Sequence, residues 1–293
     1  MKKPELKATV IGLGLIGGSV ALDLRARGFA THINGVELSE QHQKQARDRG
    51  LVDDIQSLDV AIQNTDLVIL TIPVDGILKI LPKILDKVGD EVTITDMGST
   101  KALISSSVRN HPRRKQYVSS HPMAGTEHSG PLAALRGLFD FRTAVICDAS
   151  ESGAFHLRRI DEMYEVLKMR RVYMASSEHD LHAAFVSHLS HISSFVLANT
   201  VLEKQKNVGA IFDLAGGGFE STVRLAKSSP EMWTPIFEQN SNSVIDALKA
   251  YIDHLQVFHQ SLVTKKFDQT KEIMKEANKI RQVLKNLGQG VEK

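Results

Sequence analysis

The sequence predicts an α/β N-terminal domain built on a doubly wound parallel sheet, followed by an all-α C-terminal domain. Three observations predict it. Short β-rich runs alternate with amphipathic stretches from Thr9 to about Ala175, the run Leu67–Ile72 (LVILTI) is apolar without interruption, and the strand signal fades beyond Ala175. Alternating β and α elements form a parallel sheet with helices on both faces. An unbroken apolar strand suits the centre of such a sheet. The 293 residues fit two domains, 1–175 and 176–293.

Taken in order, the strand candidates are Thr9–Ile11, Ile33–Glu37, Leu67–Ile72, Val92–Asp96, Tyr117–Ser119, Ala144–Cys147 and Val172–Met174. Helical patterns such as Gly76–Lys87 and Ala154–Lys168 lie between most of them. In the second half Glu178–Gln205, Glu231–Leu262 and Phe267–Leu287 read as long helices, with one strong break at Asp213–Phe219 (DLAGGGF). Such helices rarely stabilise themselves. The helical domain is therefore expected to complete its core against a second chain.

Composition narrows the function classes. Hydrophobic residues at 42% and charged residues at 24% are ordinary for a globular chain and argue against disorder, collagen-like repeats and rods. A net charge of +2 provides no basic field for nucleic acid, and 5% aromatic residues leave little for base stacking. The single cysteine, Cys147, cannot form an intrachain disulfide, which argues against a stapled secreted scaffold; it sits in an apolar run and reads as core. The N-terminal apolar stretch resembles a signal peptide. However, it carries Gly12, Gly14, Gly17 and Gly18 and runs into Asp23, Arg25 and Arg27 without a small-residue cleavage pattern. No uninterrupted apolar run approaches the length of a membrane span. A soluble, cytoplasmic protein with neither a membrane nor a nucleic-acid partner is expected.

The first strand runs directly into Gly12-Leu13-Gly14-Leu15-Ile16-Gly17, a GxGxxG spacing. The first glycine permits a tight turn, the second a close approach to a pyrophosphate, and the third close helix–strand packing. The following helix points its N-terminal amides at the phosphates. Glycine-rich turns also occur for structural reasons alone. Here the motif sits between strand and helix, and Glu37 ends the second strand twenty residues after Gly17. Together these features predict a dinucleotide-binding (Rossmann) domain with Glu37 on the adenosine ribose. Gly12, Gly14, Leu15, Ile16, Gly17, Glu37 and Pro73, just past LVILTI, are the cofactor-binding candidates. A carboxylate repels a 2′-phosphate and no Arg or Lys follows before Lys44, so NAD is expected over NADP. FAD is disfavoured because no second nucleotide signature appears.

Candidates for chemistry follow downstream. Ser99, in Asp96-Met97-Gly98-Ser99-Thr100-Lys101, lies at a strand's carboxyl edge; it would bind ligand there or simply cap the next helix. His121, in a polar segment after the Tyr117 strand, has a side chain suited to general-base work near neutral pH. His179, His182, His188 and His191 cluster at the start of the helical domain. On one continuous helix His179 and His188 would fall on opposite faces. The segment also lacks the glutamate of HExxH, so no metal is expected and cavity lining fits better. Arg224 stands in an apolar stretch (VRLA), where a partly buried guanidinium would need an anion: Glu220 at i−4 or a substrate carboxylate.

The segments GLGLIGGS, DMGSTK, SHPMAGTEHSG, SEHDLHAAFVSHLSH, GGGF and TVRLAKSSPEMW, in this order over nearly the whole chain, resemble the prephenate and arogenate dehydrogenases of tyrosine biosynthesis. The resemblance implies NAD-dependent oxidative decarboxylation of prephenate, with arogenate as the alternative substrate. It implies that His121 takes the proton from the ring hydroxyl and that Ser99 hydrogen-bonds His121 beside the nicotinamide. Arg224 would hold the ring carboxylate. His191, His188, His179, Glu127, Asp180, Gly217 and Trp233 would line or organise the substrate cavity. A homodimer through the helical domain is also implied. Many members carry Arg-Asp after the GGGF phenylalanine, where this chain has Glu220-Ser221, which bears on substrate preference and tyrosine inhibition. No appended regulatory domain or fused chorismate mutase is expected. An unperturbed imidazole base would make activity rise with pH through about 6–7.

Two rival readings remain at this level. A β-hydroxyacid dehydrogenase-like enzyme would place a lysine on the interdomain helix, yet none occurs there before Lys204. A non-catalytic NAD-binding sensor would have no use for His121, Ser99 and Arg224 together.

Overall fold

Strand β1 (Lys7–Ile11) is the axis from which the sheet grows in both directions in this computed structural model, which describes residues 6–206 and 208–289. On one side lie β2 (His32–Val36) and the two-residue β3 (Asp54–Ile55). On the other come β4 (Leu67–Leu70), β5 (Thr93–Asp96) and β6 (Tyr117–Pro122), all parallel. β7 (Thr143–Cys147) and β8 (Arg170–Met174) complete the order β3-β2-β1-β4-β5-β6-β7-β8. The order reverses between β1 and β4, and sheets of this kind bind ligands in the crevice at the strand ends there.

The sheet departs from the expected all-parallel form at one place. β7 runs antiparallel to β6, and β8 parallel to β7. A parallel neighbour needs a crossover, usually a helix. Between β6 and β7 the chain forms only a short 3-10 turn (Pro131–Ala133), so it returns in the opposite direction. The β3 strand has no sequence signature because two residues show no periodicity.

Helices α1 (Leu15–Ala26), α2 (Glu40–Asp48), α3 (Leu58–Ala61), α4 (Val74–Lys87), α5 (Ala102–Ser107) and α6 (Ala154–Val166) intervene between the strands. Alternate strand residues feed two cores. Ala8, Val10, Leu67 and Ile69 join Val20 and Leu24 of α1 and Ile160 and Met163 of α6. Ile11, Val68, Leu70 and Ile94 join Ile77, Leu81 and Ile84 of α4. Both faces are covered, which explains the unbroken apolar run of β4. The first βα turn depends on its glycines. Gly12 has φ +94°, and a Cβ on Gly17 would stand 1.9 Å from the Gly12 carbonyl oxygen.

Beyond Met174 the chain is helical. α7 (Ser176–Ala183), a π-helical turn (Ala184–His188) and α8 (Leu189–Gln205) make one continuous segment. By length and composition alone this segment is long and apolar enough to cross a membrane, but it carries His179, Asp180 and His188, whose side chains bond to the rest of the protein. The expected break at Asp213–Phe219 holds a 3-10 turn (Ile211–Leu214) and the start of α9 (Gly217–Val223). The expected helix Glu231–Leu262 is divided at Asn240 into α10 (Pro230–Gln239) and α11 (Ser241–Val263). α12 (Phe267–Ala277) and α13 (Ile280–Gln289) likewise replace a single helix over Phe267–Leu287.

The chain forms two compact units that meet in sequence at Ser241 and Asn242. The first holds the sheet and α1 to α10. In the second, Ser261 and Thr270 share a buried hydrogen bond of 2.9 Å, while Leu255, Leu262, Phe267, Met274, Ile280 and Leu284 are exposed.

Beneath the carboxyl edge of β5 and β6 lies a polar core. Lys101 and Asp96 are each 0% exposed and paired through Nζ and Oδ2. Lys101 Nζ also donates to the Ser120 carbonyl at 2.8 Å, and Tyr117 Oη donates to Asp96 Oδ1 at 2.6 Å. Burial, reinforced by Asp96, holds the Tyr117 phenol well above its usual pKa, so it remains a donor. Removing one partner of a buried pair strands the other charge. Lys101→Met should therefore cost about 3–5 kcal/mol in urea unfolding, with much of the loss recovered in the double variant Lys101→Met, Asp96→Asn. A loss below about 1 kcal/mol for the single variant would show that the pair does not hold this edge together.

Candidate active site

The Gly-rich turn and its neighbours meet at the carboxyl ends of β1, β2, β4 and β5. Gly12 N–H donates to the Val36 carbonyl at 2.8 Å, closing the turn onto β2. Glu37 follows β2 directly and accepts from Leu13 N at 3.1 Å and Ser39 N at 3.0 Å. Those bonds leave further carboxylate lone pairs for ribose hydroxyls. Helix α1 starts after Gly14 with neither a capping side chain nor an acidic residue in its first turn. Its free amides and dipole thus suit a pyrophosphate. A Cβ on Gly14 would meet nothing closer than Gly130 N at 4.0 Å, so the backbone there is open to a close ligand. Leu15, Ile16 and Gly17 form the first turn of α1, and Pro73 precedes the first residue of α4. Ser99 is half-buried three residues past β5. These residues fit a bound dinucleotide.

His121 lies near the end of β6, opposite Val145 of β7. Its position is fixed from below. Ser120 Oγ bonds Tyr164 Oη at 2.6 Å and the Asp96 carbonyl at 2.9 Å, while the Ser120 carbonyl receives Lys101 Nζ. The structure corrects the expected partner of His121. Its Nδ1 faces His179 Nε2 at 2.9 Å, and no hydrogen bond joins it to Ser99. Ser99 belongs to the turn after β5, whereas His179 is carried in by α7. Desolvation pushes the His121 pKa well below the ordinary imidazole value, and His179, Lys101 and His188 add to the shift. The histidine is neutral at pH 7.

His179 and Asp180 are both buried and their polar atoms are occupied by neighbours, an arrangement that suits organising the site. His179 Nδ1 bonds Asp180 Oδ1 at 2.8 Å. Asp180 also accepts from Lys101 N at 2.8 Å and Ala102 N at 2.9 Å, capping α5 from a distance in sequence. The Asp180 carboxylate, not Ser99, thus caps α5.

His188 and His179 do not fall on opposite faces. The π-helical turn Ala184–His188 lies between them and shifts the helical phase. Both rings come near enough to His121 for their charges to act on it. His188 is buried, its pKa pushed down to about 4 chiefly by desolvation, and Asn240 Nδ2 lies 3.3 Å from its Nδ1. His191 donates from Nδ1 to the Ser187 carbonyl at 3.0 Å and stacks on Trp233, with ring centroids 3.6 Å apart. Nε2 of His191 is then an acceptor, while Trp233 Nε1 is a buried donor without a partner. His182 is exposed. Among the described residues no group of three or more His, Cys, Asp or Glu side chains could hold a metal ion.

Arg224 differs from expectation in both burial and partner. It opens a 3-10 turn (Arg224–Lys227) that breaks the phase of α9, and its side chain is 49% exposed. Its partner is Glu127 at 3.1 Å, not Glu220. The backbone N–H of Glu127, together with Arg224, holds the Glu127 carboxyl below the usual range. Gly217, at the start of α9, is exposed, as is Glu220; Ser221 Oγ donates to the Gly218 carbonyl at 2.9 Å. Cys147 is buried in β7 with its thiol pushed up to about 12 by burial, which fits core rather than nucleophile.

Sequence reasoning missed two supports of the site. Asn240 donates to the Asp180 carbonyl at 2.7 Å as well as facing His188, and nothing in its local pattern marks it. Lys101 carried a signal: a lysine five residues after an aspartate, at the end of an apolar strand.

The chain matches the family model for the nucleotide-binding domain of prephenate dehydrogenase over residues 20–173 and that for its dimerization domain over residues 175–276. Prephenate dehydrogenase from Bacillus subtilis strain 168 is 29% identical over 253 residues, covering 85% of this chain and 68% of that one. Cyclohexadienyl dehydrogenase from Zymomonas mobilis is 28% identical, covering 94% of this chain and 95% of its own. The crystal structure of Aquifex aeolicus prephenate dehydrogenase, in complex with hydroxyphenyl propionate and NAD+, superposes with a TM-score of 0.86 at 26% identity, covering 97% of this chain and 100% of that one. With a Gly-rich turn suited to a nucleotide, a half-buried histidine at the carboxyl end of β6 on the same sheet edge, and family-model matches over residues 20–173 and 175–276, the chain belongs to the prephenate dehydrogenase family.

Proposed function

We propose that this enzyme converts prephenate to 4-hydroxyphenylpyruvate, carbon dioxide and NADH, with His121 as the base. The observation that carries the reading is a half-buried histidine near the end of β6, on the carboxyl edge of the sheet, whose desolvation holds its pKa well below the ordinary imidazole value. Arogenate, with an amino group in place of the side-chain keto group, is the second reading; it is favoured by the relative named as a cyclohexadienyl dehydrogenase. Glu37 supports NAD over NADP because a 2′-phosphate would meet its carboxylate. We read residues 1–175 as the nucleotide-binding domain and 176–293 as the substrate and dimerisation domain of a cytoplasmic homodimer. The exposed apolar side chains of α11 to α13 support the dimer.

The chemistry follows from the side chains. Bound NAD supplies a hydride acceptor. His121 Nε2 takes the proton of the ring hydroxyl as the hydride leaves the same carbon. The bond to the ring carboxylate then breaks, its electrons enter the ring, and carbon dioxide departs. Aromatisation makes the step downhill, so the protein mainly orients, accepts the proton and excludes water. Arg224 is the anchor for the ring carboxylate. In the free protein it is held by an ion pair with Glu127 that lies in solvent and is weak. A carboxylate gripped by the guanidinium fork contributes about 1.5–3 kcal/mol, so exchange favours the substrate. Ser99, three residues past β5, supports a role on the nicotinamide side of the pocket, and His191 Nε2 would supply an acceptor for the substrate's other end.

His121→Asn should lower kcat by roughly 10²–10⁴ with little change in KM; near-full kcat would remove His121 from the base role. Arg224→Ala should raise KM for prephenate steeply, by about tenfold or more, with a smaller effect on kcat. Unchanged KM would assign the arginine to the ion pair alone. The pH expectation changes with the structure. The base must be unprotonated, and a depressed pKa keeps it so to lower pH. Accordingly kcat/KM should stay flat between about pH 6.5 and 8 and fall only in more acid solution. A rise through about pH 6.5–7 would show an unperturbed imidazole.

A further inference from the structure

We propose that His179 and Asp180 are positioning residues that hold His121 in the tautomer able to accept a proton at Nε2. The inference rests on the reading of His121 as the base. Asp180 receives three donors on its two oxygens: Lys101 N at 2.8 Å, Ala102 N at 2.9 Å and His179 Nδ1 at 2.8 Å. Two of these are backbone N–H groups, which can only donate, and they sit at the start of α5, where negative charge is favoured. The carboxylate is an acceptor throughout, so the proton of His179 is on Nδ1. A neutral imidazole with its proton on Nδ1 presents a lone pair at Nε2. That lone pair lies 2.9 Å from His121 Nδ1, which must then be the N–H. The lone pair of His121 is left on Nε2.

Direction therefore runs one way through the chain, from the α5 amides to the reacting atom. The two rings are 5.1 Å apart between centroids and inclined at 67°, an edge-on approach that suits an in-plane N–H to nitrogen bond. In the opposite tautomer His121 would offer an N–H to the substrate hydroxyl and could not take its proton. The groups facing this pair are Lys101, His188 and Asp180, and Asp180 is the one acid among them. When His121 takes the proton, Asp180 stabilises the new charge through the His179 ring. His179 and Asp180 are nearly inaccessible to solvent, so water does not compete for these bonds.

The tautomers can be read directly by long-range 1H–15N correlation on 15N-labelled enzyme, with the His121 signals identified by their loss in His121→Asn. The expected spectrum shows both His121 and His179 protonated at Nδ1; His121 protonated at Nε2 would overturn the proposal. In kinetics, His179→Leu should lower kcat by about 30-fold or more while KM for prephenate and NAD stays within about twofold. His179→Gln, whose side-chain oxygen can still accept from His121 Nδ1, should recover at least about fivefold of that loss. Unchanged kcat in His179→Leu, or a Gln variant no better than Leu, would refute the role. Failure of the base reading is distinguishable: His121→Asn would retain its kcat while the wild-type tautomer spectrum stood as expected.

Discussion

Asp180 is the point at which the sheet and the helical segment become one site. Its carboxylate accepts from the first amides of α5, which belong to the loop after β5, and from His179, which reaches His121 on β6. Its own carbonyl receives Asn240, the residue at which α10 ends. One buried carboxylate thus ties together β5, β6, α7 and α10. An unsatisfied carboxylate at this depth would be costly, so each of these elements is constrained to deliver its donor.

Beneath that carboxylate the charge is arranged with a purpose visible in the substrate. Lys101 neutralises Asp96 and grips the Ser120 carbonyl, and the rings of His121, His188 and His191 are all held below their ordinary pKa values by burial. These rings are held uncharged near neutral pH, and in the proposed reading the substrate's cationic anchor is Arg224. In that reading a dianionic substrate would meet one anchor and a base that remains free to act. Were the histidines protonated, they would bind the substrate's carboxylates and leave nothing to remove the proton.

Much of this was legible in the sequence for physical reasons. The β4 run is apolar throughout because α4 covers one face and α1 and α6 the other. The spacing from Gly12 to Gly17 is dictated by a carbonyl that a side chain would strike, and Glu37 by its place after β2. The antiparallel β7 was not legible, since the alternation of elements does not say whether a connection crosses over. Nor was the partner of His121. A helix read at a uniform 100° per residue separates His179 from His188, and only the π-helical turn brings them back.

That turn shows how geometry and chemistry constrain each other here. His179 reaches His121 on β6 while His191 stacks on Trp233, and the π-helical turn lies between the two. Five residues of wider turn, Ala184–His188, absorb the phase difference. π-Helical turns weaken the local hydrogen bonding and persist where a site needs them. The segment accepts that weakness and presents His179 to His121 and His191 to Trp233 from one continuous helix. The same reasoning accounts for the break at Asn240. Asn240, between α10 and α11, has its amide on both the Asp180 carbonyl and His188.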